Sequence, residues 1–249
     1  MIKLSNISKT FNRGKANEVK ALQNISLDIA PLQYVVVVGS NGSGKSTLLN
    51  LIAGSFLPSV GEIEIDGNNV TRLQDFERSR WIARVFQNPL SGTAPDLSIL
   101  DNFRLAALRT VSKGLRVGTS SAFKNEFINK IALLGMGLEN KLEQPMGTLS
   151  GGQRQALTLL MSVMDDCKIL LLDEPTAALD PRSARLVMET ADRLIAEFKL
   201  TAILITHNLK DAHMHGNRLI QMAEGEIIKD FSGENKLSLT QPDLFSWFS

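Results

Sequence analysis

A second cysteine is missing from this chain of 249 residues, so Cys167 has no partner for an internal disulfide and a reducing compartment suits it. Cys167 stands just before an apolar run, which predicts a buried, inert thiol. A surplus of charge is missing too, since 27 Lys and Arg face 26 Asp and Glu for a formal net charge of +1. No global field therefore draws the chain to nucleic acid or acidic lipid, and no nucleic-acid partner is expected. Long apolar runs are absent. The longest, around Val35–Val38 and Ile169–Leu172, are far too short to cross a bilayer. Met1 to Asn6 alternates apolar and polar residues without a signal core, so a cytoplasmic location is expected unless something else holds the chain at a membrane. Repeats and low-complexity tracts are lacking as well.

What is present fits a globular α/β protein. Hydrophobic residues make up 43% and charged residues 21%, and the length suffices for one large domain or two small ones. Ile2 and Leu4 alternate with polar neighbours as a half-buried strand does. Tyr34–Val38, Ile169–Asp173 and Ala202–Thr206 are solid apolar runs, the pattern of buried parallel strands. Ile63–Asp66 before Gly67 reads as an arm of an antiparallel piece, and Leu219–Ala223 with Glu226–Lys229 flanks Glu224-Gly225 as a hairpin. Phe123, Phe127, Ile131 and Leu134 recur at helical spacing, with Leu97, Leu100 and Leu108 less strictly so, and Val117–Ser121 reads as a loop. Asp180-Pro181 opens a helix with Asp as N-cap, and Val187, Ala191, Leu194, Ile195 and Phe198 form its buried stripe.

Directly after the run Tyr34–Val38 stand Gly39, Ser40, Asn41, Gly42, Ser43, Gly44, Lys45, Ser46 and Thr47, followed by the apolar helix Leu48–Ala53. Strand before and helix after is the context a phosphate-binding loop requires. Its glycines let backbone N–H groups turn inward, and the helix N-terminus adds partial positive charge. Lys45 is expected to reach the β- and γ-phosphates of ATP, and the Ser46 hydroxyl to ligate Mg²⁺. Asp173 and Glu174 end a buried strand at the edge where open α/β sheets bind ligands. Asp173 is placed to hold Mg²⁺, and Glu174 to polarise the attacking water.

Leu149, Ser150, Gly151, Gly152 and Gln153, followed by Arg154-Gln155-Ala156-Leu157, resemble the signature sequence of ABC ATPases. A Ser and two Gly opening a helix form a second anion-binding surface. The resemblance implies that two copies pack head to tail, each signature closing on ATP held by the other. Further motifs follow in the family's order. Gln87 resembles the glutamine that touches Mg²⁺ and links the core to the helical insert. Ala178-Leu179-Asp180 resembles the loop along the dimer interface, and His207 the histidine that contacts the γ-phosphate. Phe11 matches the position that stacks on adenine, where tyrosine is commoner. His213 and His215 are read as having no part in the site.

The fold implied is a P-loop NTPase (RecA-like) α/β core with a mostly parallel sheet, a small antiparallel β subdomain and an inserted helical subdomain. The expected boundaries are 1–92 and 151–230 for the core, 93–150 for the helical part and 231–249 for a tail. Leu244, Phe245, Trp247 and Phe248 of that tail either pack back on the domain or cover a dimer surface. The resemblance spans Ile2 to Lys229, and both Glu174 and His207 are intact, which argues against a non-hydrolysing copy. It implies a subunit that energises a separate membrane permease from the inner face of the cell membrane. Import is expected, with a substrate-binding protein as further partner. Export is the alternative; a DNA-maintenance ATPase would need a long coiled-coil insert, and a translation-associated one normally carries two cassettes. Asn88–Pro95 and Thr158–Met161 resemble a bacterial group whose permeases are like those for branched-chain amino acids and sugars, some linked to aromatic amino-acid uptake. Asn88 to Asn102 is where a permease helix is expected to dock.

Overall fold

The structure of the protein, a computed structural model, describes residues 1–88, 90–107, 121–164 and 167–247. Pro89, Leu108, residues 117–120 and Phe248, named above for a docking segment, a helix, a loop and a tail contact, lie outside the described residues. In chain order the elements are β1 (Ile2–Phe11), β2 (Val19–Ile29), β3 (Tyr34–Val38), α1 (Lys45–Ala53), β4 (Val60–Ile65), β5 (Asn68–Asn69), α2 (Asp75–Arg78) and β6 (Ile82–Val85). Then come α3 (Ile99–Ala107), α4 (Ser121–Ala132), α5 (Gly151–Ser162), β7 (Ile169–Asp173), α6 (Pro181–Glu197) and β8 (Thr201–Ile205). The chain ends through α7 (Leu209–Met214), β9 (Arg218–Ala223), β10 (Glu226–Ser232), α8 (Glu234–Leu237) and α9 (Gln241–Ser246). Two compact units result: Met1–Ile82, Lys168–Glu174 and Lys199–Ser249 form the first, Ala83–Cys167 and Pro175–Phe198 the second.

The first unit holds two sheets. In one, β2, β1, β4 and β5 run in that order, every pair antiparallel. In the other the order is β10, β9, β3, β8, β7, with β3 parallel to both neighbours, β7 parallel to β8, and β10 antiparallel on β9. Every residue of β3 and β8 is buried, as continuous apolar runs demand of strands covered on both faces. Leu48, Leu49, Leu51 and Ile52 of α1 share one core with Ile2, Leu4 and Ile63 of the antiparallel sheet and Val35, Val37, Leu171 and Ile203 of the parallel one. The mostly parallel sheet, the antiparallel sheet and the Glu224-Gly225 hairpin are as the sequence predicts. The sequence reading passes over β2, as it does the short β5 and β6. The inward residues Ile25, Leu27 and Ile29 of β2 do alternate with polar ones, but register shifts against β1 break the period before Ile25.

Parallel strands share one C-terminal edge, and that places the chemistry. β3 runs into Gly39, while Asp173, the last residue of β7, pairs with Ile205, the last of β8. The second unit is helical. Phe103 and Phe127 pack at 5.1 Å between α3 and α4, and Ile99, Leu100, Ile131, Leu134 and Met146 are buried in the same unit. Asp180 caps α6 as expected, its Oδ1 accepting from the amides of Arg182 (3.0 Å) and Ser183 (3.1 Å). Cys167 is buried. In the tail, Leu244 is fully buried and Trp247 stacks on Phe231 at 5.4 Å, so these two pack back on the domain, whereas Phe245 is exposed.

Candidate active site

The loop after β3 is shaped by residues that other side chains would break. Gly44 is the N-cap of α1 at φ 100, and a Cβ there would stand 2.6 Å from the Ala21 carbonyl and 2.8 Å from Leu22 Cδ2. The tip of the β9–β10 hairpin supports the same loop: the Gly225 amide donates to the Ser43 carbonyl at 3.1 Å, and the Gln23 amide to the Gly225 carbonyl at 2.9 Å. Lys45, itself buried, donates from Nζ to the carbonyls of Gly39 (2.8 Å) and Ser40 (2.9 Å). Burial holds its ammonium below the ordinary lysine value, with the Glu174 and then the Asp173 carboxylates opposing. Ser40, Asn41, Gly42 and Ser46 are exposed and Thr47 is half-buried, whereas the Ser43 hydroxyl is buried and has no hydrogen-bond partner among the described residues. A glycine-rich loop with a buried lysine turned onto its carbonyls, an orphaned hydroxyl and a helix N-terminus fits a polyphosphate. Replacing Gly44 by Ala is expected to raise the ATP dissociation constant about ten- to a hundredfold, from strain of about 1–3 kcal/mol. Calorimetric titration with ATP checks it, and unchanged affinity would contradict this account of the loop.

At the neighbouring strand ends, Glu174 sits in the left-handed region at φ 46, and its amide donates to the Ile205 carbonyl at 3.0 Å. A non-glycine residue held there is a strained position of the kind functional sites retain. Its Oε2 lies 3.1 Å from Nδ1 of His207, whose side chain is 61% exposed against 18% for Glu174. Asp173 is half-buried. Downstream, the Asn208 amide donates to Thr206 Oγ1 at 3.0 Å, and Asn208 caps α7. Lys45, Asp173, Glu174 and His207 thus share one edge of one sheet. Phe11, ending β1, is half-buried, with its ring edge-on to Phe56 at 5.4 Å and Lys9 Nζ 5.0 Å away.

The remaining motif residues lie in the second unit. Gln87 is exposed. Ser150 caps α5 in a reciprocal box, its Oγ accepting from the Gln153 amide and its amide donating to Gln153 Oε1, each at 3.2 Å. Gly151 is half-buried, near Leu179. Gly152 is buried, and a Cβ on it would stand 2.7 Å from Ser183 Cβ, so its bareness serves the close packing of α5 on α6. That gives Gly152 a structural task the sequence reading did not assign. The Ser183 hydroxyl and the first-turn amides of α6 hold Asp180 below the usual carboxylate range.

Two more residues, quoted with the signature, were given no role from the sequence. Arg154 donates to the carbonyls of Met146 (3.3 Å), Gly147 (3.0 Å) and Leu149 (3.0 Å), fixing the turn that presents Ser150. The fully buried Gln155 donates from Nε2 to the Phe86 carbonyl at 3.1 Å, tying α5 to the residue before Gln87. Both act on backbone carbonyls, which carry no residue identity, so no spacing rule could reveal them. Among the described residues no group of three or more His, Cys, Asp and Glu could hold a metal. Ser46 Oγ, one Asp173 carboxylate and the Gln87 amide oxygen are hard donors of the type Mg²⁺ takes when phosphate oxygens and water complete its shell.

Comparison with known proteins gives concordant results. A family model described as ABC transporter matches residues 22–177. A tyrosine transport ATP-binding protein of Clostridioides difficile is 38% identical, over 100% of this chain and 98% of its own length. A macrolide export ATP-binding/permease protein of Escherichia coli is 33% identical over 94% of this chain and 35% of its own length. Among solved structures, a dimeric ATP-binding cassette in a post-hydrolysis state with ADP and phosphate superposes with TM-score 0.78 at 28% identity, over 93% of this chain and 98% of that one.

Proposed function

The chain belongs to the ABC transporter family, and on that footing we propose that it drives import of a small solute of the tyrosine class through a separate membrane permease. It is an ATPase, the ATP-binding subunit of a transporter. The observation that carries the solute is the likeness over the whole chain to a tyrosine transport ATP-binding protein, and likeness to phosphonates and methionine import ATP-binding proteins supports the direction. Export is the second reading, favoured by the likeness to the macrolide exporter.

On this reading Phe11 stacks on adenine, and Gly39 to Thr47 enclose the phosphates, with Lys45 moving its charge from the loop carbonyls to the γ-phosphate. Ser46, Asp173 and Gln87 would hold Mg²⁺, which when bound supplies charge neutralisation on the phosphate oxygens. Glu174 orients water for in-line attack, and His207 holds the γ-phosphate end in register. A second copy packs head to tail and brings the Ser150–Gln153 helix start to the nucleotide, a reading supported by the dimeric state of the similar cassette. Since Gly152 faces Ser183, the groups free to meet the phosphate there are the Ser150 hydroxyl and the first amides of α5. The subunit sits on the inner face of the cell membrane through its permease, and a substrate-binding protein delivers the solute. No helix of the described residues is long and apolar enough to cross a membrane itself.

Permease docking is assigned to the segment from Asn88 to Asn102. Buried Asn102 pins its backbone, accepting from the Ala94 amide (2.7 Å) and donating to the carbonyls of Ala94 (2.9 Å) and Ser98 (2.9 Å). Leu97 within it is 40% exposed. Labelled tyrosine uptake by host cells tests the reading. Replacing the chain by its Glu174→Gln form is expected to abolish accumulation, whereas raised accumulation would establish export. Leu97→Ser is expected to lower uptake about tenfold with ATPase of the isolated subunit within about twofold. Equal loss of ATPase would put Leu97 in the catalytic fold.

A further inference from the structure

We infer that the C-terminal tail braces α7, the helix that follows His207, with Lys236 as its positioning residue. The inference rests on the reading that Glu174 and His207 act together on the nucleotide. α7 begins one residue after His207-Asn208, so the setting of that short helix fixes where the His207 backbone enters the site. Six residues cannot hold a helix by propensity, and the last carbonyls of any helix need partners from outside it. The tail supplies them. Lys236 of α8, only 5% exposed, donates from Nζ to the carbonyls of His213 (2.7 Å) and His215 (2.9 Å), at the C-terminal end of α7.

A cation belongs at that end of the helix dipole, but burying an ammonium is costly unless it is fully used. A second tie runs from the helix itself: His213 Nε2 lies 3.0 Å from the Leu239 carbonyl. Beyond it the tail is anchored by the fully buried Leu244 and by the Trp247 carbonyl, which accepts from Gln221 Nε2 at 3.2 Å. His213, read from the sequence as having no part in the site, and Lys236 therefore connect residues 232–247 to the segment that delivers His207 to Glu174. A tail that only covered apolar surface would not need a buried charge aimed at α7.

The test is steady-state ATP hydrolysis by the purified full chain, with thermal melting measured in parallel. Lys236→Met is expected to lower kcat about tenfold, with the KM for ATP and the affinity for ADP within about twofold, because the phosphate loop is untouched. In a His207→Ala background the same change is expected to cost less than about twofold, since the residue it positions is gone. Unchanged kcat with only a lower melting temperature would overturn the brace, and so would equal losses in both backgrounds. Where Lys236→Met does not fold, His213→Phe takes its place, with about a threefold loss of kcat expected and none in the His207→Ala background. Unchanged kcat in that variant overturns the inference. Normal hydrolysis by His207→Ala alone would instead overturn the reading of the site itself, and the brace with it.

Discussion

Glu174→Gln is expected to lower ATP turnover by about a thousandfold while leaving ATP binding intact. The change keeps the shape and an oxygen acceptor and removes only the charge. Glu174 is the carboxylate that meets His207, at 3.1 Å, on the sheet edge that also presents the lysine of the phosphate loop. Its backbone is held at φ 46, with the amide on the Ile205 carbonyl, so glutamine inherits the same placement and the loss reads out chemistry, not folding. With hydrolysis stopped, the variant is expected to accumulate as an ATP-bound dimer in analytical ultracentrifugation and to return to monomer with ADP. A monomer that hydrolyses ATP normally would contradict both the role of Glu174 and the two-copy mechanism.

Arg78→Met is expected to destabilise the protein by about 3 kcal/mol or more, a large part of the roughly 5–15 kcal/mol that holds a domain together. Arg78 is fully buried at the end of α2. It donates from Nη1 to the carbonyls of Leu51 (2.7 Å) and Ile52 (2.9 Å), in the last turn of α1, and from Nε to the Leu73 carbonyl (3.0 Å). Methionine fills the stem but removes the guanidinium from all three carbonyls, leaving that of Leu51 only the Gly54 amide at 3.3 Å among the described residues. Burial pulls the guanidinium down to about 10, against the Glu77 carboxylate, so it remains charged in folded and unfolded chains alike near neutrality. The stability loss is therefore expected to be flat between about pH 6 and 8. Urea unfolding checks it: a lower midpoint at unchanged slope is the expected result, and an unmoved midpoint would contradict it.

What was legible in the sequence, and what was not, separates along a physical line. Tyr34–Val38 and Ile169–Asp173 announced themselves because strands buried on both faces must be apolar throughout. Gly39 to Thr47 did so because only glycine permits the turn that aims amides at an anion. β2 stayed hidden behind its register shifts, which interrupt the alternation that marks a half-buried strand. Arg78, Gln155 and Lys236 could not be read at all. Each serves backbone carbonyls distant in the chain, those of Leu51, Phe86 and His213, and a carbonyl looks the same whatever residue carries it. Gly152 was read for its bare amide, and its need for close packing on Ser183 emerged only with the position of α6. Nor could any pattern foretell the left-handed backbone at Glu174, since local preference opposes it.

The measurement that bears most directly on the account is purification of the tagged Glu174→Gln chain from detergent-solubilised membranes of its own host, with co-purifying chains identified by mass spectrometry. A polytopic membrane protein held with the ATP-bound variant is the predicted result, and its kind separates import from export. Recovery of soluble, nucleic-acid or ribosomal partners alone would contradict the proposal that this ATPase drives a permease.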